Sequence, residues 1–111
     1  MKNSRAKGKR GELEFARVLQ NAGYHARRGQ QFKGGAGSPD VICDELSGYH
    51  FEVKRTQAGN PYKWLAQAIN DAGPGKTPIV AHRRNGDKWI AVLAMDDLLE
   101  LIGLAANTDG G

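Results

Sequence analysis

Between Glu12 and Ala22 the apolar residues Phe15, Val18, Leu19 and Ala22 fall at i, i+3, i+4 and i+7, and Gly23 follows. That stripe and stop predict an amphipathic helix. A short strand is expected at Tyr24–Arg28, and the glycine-rich stretch from Gly29 to Ser38 reads as a mobile loop. Two strands, Asp40–Asp44 and Tyr49–Arg55, joined by the turn Glu45–Gly48, read as a hairpin. Asn60 has the chemistry of a helix N-cap, Pro61 suits the first helical position, and Leu65, Ala68, Ile69 and Ala72 form the next apolar stripe before Gly73-Pro74. Asn85-Gly86 between Pro78–Arg83 and Lys88–Leu93 is a strong hairpin signal. Asp97 and Glu100 have capping-box spacing ahead of a short helix through Ile102. The expected order is αβββαββα, an α/β domain with a mixed sheet flanked by helices. One domain spans residues 1–111, with residues 1–10 as a basic arm and 105–111 as a frayed tail.

Composition sharpens this without changing it. At 111 residues, 40% apolar and 25% charged, the chain has the make-up of an ordinary globular domain with one modest core. The longest apolar run, Trp89 to Met95, is too short to span a membrane. The charges in MKNSRAKGKR are followed by no apolar stretch, so a secretory leader is not expected. Cys43 is the one cysteine, which excludes an internal disulfide and fits a cytoplasmic location.

Charge is distributed unevenly. Residues 1–33 hold nine basic and two acidic side chains, whereas the other 78 residues hold seven basic and ten acidic ones. A basic surface of this kind attracts polyanions, since each neutralised phosphate releases counterions. Nucleic acid is therefore the expected partner, and a solvated arm is the alternative.

Strand alternation puts Tyr49, Phe51 and Val53 on one face and His50, Glu52 and Lys54 on the other. A fold-back at the hairpin would bring Asp40 beside Glu52. Two carboxylates and an ammonium suit metal-assisted phosphodiester hydrolysis. Mg²⁺ is commonly held by one or two carboxylates plus substrate phosphate, the ion activates a water, and Lys54 can position that water or offset charge on phosphorus. The competing view makes Asp40 a strand-edge carboxylate and Glu52 and Lys54 a solvated pair.

Pro39-Asp40, eleven residues, then Glu52-Val53-Lys54 resembles the PD-(D/E)XK nuclease motif, and the element order is similar to that superfamily's restriction-endonuclease-like core. Within it, RGELEFARVLQNAGYHARRG resembles the opening helix of archaeal-type and phage-encoded Holliday junction resolvases. The resemblance implies that Glu12 completes the metal site, that residues 29–38 meet the junction, that Mg²⁺ is required with Mn²⁺ as a substitute, that the protein is a homodimer, and that its origin is phage or microbial. Helical geometry alone leaves Glu12 and Glu14 both open.

Arg27, Arg28, Lys33 and Arg55 flank the site in sequence and, with Ser38, are the expected DNA contacts. Gln67 lies on the second helix away from its apolar stripe, either near the site or simply solvated. Gly75-Lys76-Thr77 is no P-loop, because position 70 is asparagine and Pro78 begins a strand. His25, His50 and His82 are too scattered for a ligand cluster and are expected at the surface. Cys43 is expected as a core thiol, and Trp64 and Trp89 as core. The reading is a Mg²⁺-dependent, structure-selective endonuclease that nicks paired strands of branched, four-way DNA. A chain this short leaves little besides the core to read base edges, which favours recognition by backbone shape. A restriction-like or repair nuclease is the nearest alternative, and a non-catalytic nucleic-acid-binding module the alternative from another class.

Overall fold

The computed structural model describes residues 4–29 and 39–109. Its elements are α1 (Ser4–Asn21), β1 (Ala26–Arg28), β2 (Val41–Cys43), β3 (Tyr49–Arg55), α2 (Pro61–Ala72), β4 (Thr77–Arg83), β5 (Ile90–Val92) and α3 (Met95–Asp109), with a 3-10 turn at Asp44–Leu46. The strands form one mixed sheet in sequence order, β1 to β5. All neighbours are antiparallel except β3 and β4, whose parallel register runs from Tyr49 opposite Thr77 to Arg55 opposite Arg83. The expected element order and mixed sheet are both present.

A parallel pair needs a crossover, and α2 supplies it. Asn60 caps this helix through its side chain, which accepts from the Tyr62 and Lys63 amides, Pro61 occupies the first turn, and the chain leaves through Gly73 at φ 68°. Helix α2 packs on β3 and β4, with Ala68 and Val80 both fully buried between the layers. Helix α1 packs on β1, β2 and β3. There Phe15 and Ala16 meet Ala26, Val41, Cys43 and Phe51, and Trp89 lies against Phe15 at a ring separation of 5.2 Å. Trp89 and the buried Cys43 are core, as the alternation predicts.

The structure corrects several boundaries. Helix α1 begins at Ser4, not Glu12, and so takes in most of the segment expected as an arm. The stretch from Ala6 to Arg10 has no apolar stripe, yet alanine, lysine and arginine are good helix formers. Helix α3 runs from Met95 to Asp109, past the expected end at Ile102 and through the expected tail. Near the first strand, Gly29 donates its amide to the Asp40 carbonyl at 2.8 Å, and a Cβ on Gly29 would strike the Pro39 carbonyl oxygen. Residue 29 thus has to be glycine for the chain to close against residues 39–40. Lys33 and Ser38, two expected DNA contacts, lie outside the described residues.

Candidate active site

Among the described residues the buried polar or charged side chains are Asp40, His50 and Glu52, at 8%, 1% and 4% exposure. The interior of so small a domain rarely holds ionisable groups without a purpose, because each loses its hydration. Asp40 stands just before β2. Its amide donates to the Phe51 carbonyl (2.9 Å), and its Oδ2 accepts from the Val53 amide (2.8 Å). The carboxylate therefore substitutes for a strand partner and is locked against β3 on either side of Glu52.

Glu52 is held up to about 9, first by its burial and then by the charge of Asp40 and by hydrogen bonds to Asp40 and Asp71. One proton is thus retained among neighbouring carboxyl groups at neutral pH. His50 Nε2 lies 2.8 Å from Glu52 Oε1. Burial depresses the imidazole pKa against the opposing pull of Asp71 and Asp40, which leaves His50 neutral. Ligand atoms of His50, Glu52 and Asp71 lie within 4.8 Å of one another.

His50 is therefore not a surface histidine, and the polar face of β3 is not solvated. Period-two alternation identified that face correctly, but the parallel crossover puts α2 over it, so both faces of β3 are covered. Asp71 escaped sequence reasoning altogether. Its signal was available, since it sits four residues after Gln67 and so one turn further on the same side of α2.

From the other layer, Glu12 receives Arg28 Nε at 2.6 Å. Burial and the charge of Asp40 raise its pKa, while Arg28 works against the shift. Glu14 faces elsewhere and accepts from Arg55 (3.2 Å) and from Arg83, tying α1 to β3 and β4. Geometry thus separates the two glutamates that the helical wheel could not. Gly11 makes the approach possible, since a Cβ there would come within 2.6 Å of Arg55 Cβ.

Lys54 is half-buried, with Nζ 3.5 Å from Gln67 Oε1 and no carboxylate partner among the described residues. Its charge is free to meet an anion, and Gln67 stands at the site edge. Of the expected phosphate contacts, Arg27 is exposed and paired with Asp44 at 3.2 Å, and Arg28 is engaged by Glu12. Arg55 departs furthest from expectation. It is tied to Glu14 and to the Arg83 carbonyl, and so braces the fold. Trp64, expected as core, is only half-buried and meets His82 in a tilted ring contact at 4.6 Å, while His82, expected at the surface, is half-buried and bonded to the Thr56 carbonyl.

The donor set fits a divalent cation. Asp40 and Glu52 crowd two carboxyl groups into a buried space, and a dication replacing the retained proton would neutralise both. Glu12, His50 and Asp71 provide further oxygen or nitrogen donors around it.

A family model described as "Phage putative PDDEXK endonuclease" matches residues 3–108. Among solved structures, Hjc of Archaeoglobus fulgidus, a Holliday junction resolvase from an archaeal hyperthermophile, is similar with a TM-score of 0.57 and 24% identity. That match covers 78% of this chain and 72% of the other. A search of curated proteins finds none that matches.

Proposed function

Because this chain belongs to the phage PDDEXK endonuclease family, we propose that it hydrolyses phosphodiester bonds in branched DNA, cutting paired strands of four-way junctions as a Mg²⁺-dependent homodimer. One observation carries the catalytic reading: Asp40 and Glu52 are buried side by side, with the ammonium of Lys54, which has no carboxylate partner among the described residues, two residues along the same strand face. Asp40 and Glu52 would hold the Mg²⁺, with Glu12 at its edge, and Mn²⁺ would serve in its place. The chemistry such an ion supplies when bound is polarisation of a phosphoryl oxygen and acidification of an attacking water.

The chain's own residues do the rest. Asp40 is fixed by the Val53 amide, so its oxygens keep their aim without rearrangement. His50, neutral and buried, bonds Glu52 and sets the orientation of that carboxylate. Lys54 offsets the negative charge that grows on the phosphoryl oxygens as phosphorus becomes five-coordinate, and Gln67 steadies its ammonium. Arg28 holds Glu12 in place, and the exposed Arg27, its neighbour on β1, offers a phosphate contact on exchange of its Asp44 partner.

Junction selectivity is supported by the fold shared with a protein described as a Holliday junction resolvase and by the basic first third of the chain. A four-way junction has near-twofold symmetry, which a C₂ dimer would match with two sites. The test is cleavage of a labelled immobile four-way junction beside matched linear duplex, in Mg²⁺ or EDTA, with wild type and Asp40→Asn. Paired, metal-dependent nicks lost in the variant are expected. Equal cutting of duplex would remove the junction preference, and tight binding without any cutting would overturn the catalytic reading.

A further inference from the structure

Helix α1 covers the sheet only over β1, β2 and β3. On the same face, β4 and β5 are left open. The consequence is a groove of about 360 Å³ walled by Phe15, Leu19, Tyr49, Ile79, Ala81 and Trp89. Almost all of its lining is apolar, and no residue of α3 contributes to it. A groove of this kind draws an apolar partner, because the water held over it gains on release.

The same chain carries a second apolar surface. Helix α3 has no substantial packing partner among the described elements, unlike α1 and α2. Along one side of it Met95, Leu99 and Ile102 fall at i, i+4 and i+7 and are 64%, 58% and 54% exposed. A helix that leaves such a side more than half exposed gains little from it beyond its own backbone hydrogen bonds. Charge points the same way. Helix α3 has four acidic residues and no basic one, whereas α1, which forms a wall of the groove, has five basic and two acidic.

We propose that the two surfaces satisfy each other between copies: α3 of one chain lies in the β4–β5 groove of a second, and the exchange is reciprocal. The contact is isologous, so one twofold axis closes it and no surface is left to propagate a chain of molecules. The groove reaches Ile90 and Ala91 on β5, and α3 starts only two residues after that strand ends. Helix and groove are thus adjacent on each copy, as a mutual exchange requires. A 15-residue helix lies over a strip about 22 Å long and 10 Å wide. Two such contacts, counted on both surfaces, cover about 900 Å² in flat projection, close to the ~1,000 Å² that a specific interface clears. The inference deepens the homodimer named above and rests on that part of the proposed function. It also places the interface on the face of the sheet opposite the one that His50, Glu52 and α2 share.

The experiment uses the full chain and two readouts. Sedimentation velocity gives the oligomeric state of wild type and of a Leu99→Glu, Ile102→Glu double variant. Both positions are solvent-exposed in the single chain, so the variant keeps its fold, which circular dichroism checks. The wild type should be a dimer, and the variant should dissociate at a concentration at least about 30-fold higher. Separately, Leu19→Cys chains are mixed with mass-tagged Ile102→Cys chains and oxidised, while Cys43 stays buried. A disulfide between chains of different mass supports the exchange. A dimer without that link overturns the exchange and leaves the dimer standing. A wild-type monomer overturns both, and a Leu19→Cys, Ile102→Cys single chain that closes on itself shows α3 folding back and overturns the exchange.

Discussion

Replacing Glu52 by glutamine should stabilise the metal-free protein, and the gain should grow with pH. Glu52 titrates near 4.5 when unfolded and is raised to about 9 in the fold. A raised folded-state pKa contributes stability that is complete below the unfolded value and is lost as pH climbs towards the folded one. Each unit of pH in that window removes about 1.4 kcal/mol. Between pH 7.0 and 8.5 the wild type should therefore lose about 2 kcal/mol relative to Glu52→Gln. Which of the neighbouring carboxyl groups holds the proton does not alter this, because linkage counts protons bound and not their address. The pKa of His50 is depressed in the fold, so it is neutral there across this range, its titration in the unfolded chain is common to both proteins, and the exposed His25 likewise contributes equally to both. Glutamine keeps a donor for Asp40 and Asp71 and an acceptor for His50. The measurement is urea unfolding in EDTA at several pH values for both proteins, or the equivalent divergence of about 8 °C in Tm. Saturating Mg²⁺ should remove the divergence by taking the proton's place. A difference that is flat from pH 7.0 to 8.5 would show that Glu52 is already ionised in the metal-free fold, and the argument for a buried, proton-sharing site would fail.

Asp40→Asn should lower cleavage by at least about 10³-fold while leaving junction binding in EDTA unchanged or tighter, since one repulsive carboxylate is gone; gel-shift and cleavage assays on the same preparations check this. Lys54→Ala should reduce kcat by about 10²-fold with KM little altered, in steady-state kinetics on a junction substrate. Gly29→Ala should cost about 2–4 kcal/mol in denaturant unfolding, because the new methyl meets the Pro39 carbonyl at a point the backbone cannot yield. Glu14→Gln should reduce stability by about 1 kcal/mol without changing metal affinity, measured by unfolding and by calorimetric titration, since it braces Arg55 and Arg83 away from the carboxylates.

Much of this architecture was legible because local signals and tertiary context agreed. Asn60-Pro61 and Gly73 delimit α2 to the residue, and Asn85-Gly86 marks the turn between β4 and β5, with Gly86 at φ 80°. Asp40 and Glu52 came together because hairpin pairing dictates it. What remained hidden depended on layers. Alternation in Tyr49–Arg55 tells the two faces apart but cannot say that a parallel crossover buries the polar one, so His50 reads as surface, and Asp71 is marked only by standing one turn beyond Gln67 on α2. Arg55 reads as a phosphate ligand until α1 brings Glu14 to it. Helix α1 starts early because the basic segment has helical propensity with no stripe to reveal it, and α3 runs late because Gly103 and Asn107 resemble a stop that the helix passes through.

The closure of Gly29 against Pro39 and Asp40 has an evolutionary reading. Residue 29 is pinned to residues 39–40 on one side and the Val53 amide holds Asp40 on the other, so the clasp and the aim of the carboxylate are set at one place. Glycine at position 29 therefore falls under the same constraint that holds the Asp40 carboxylate, although eleven positions separate them in the sequence.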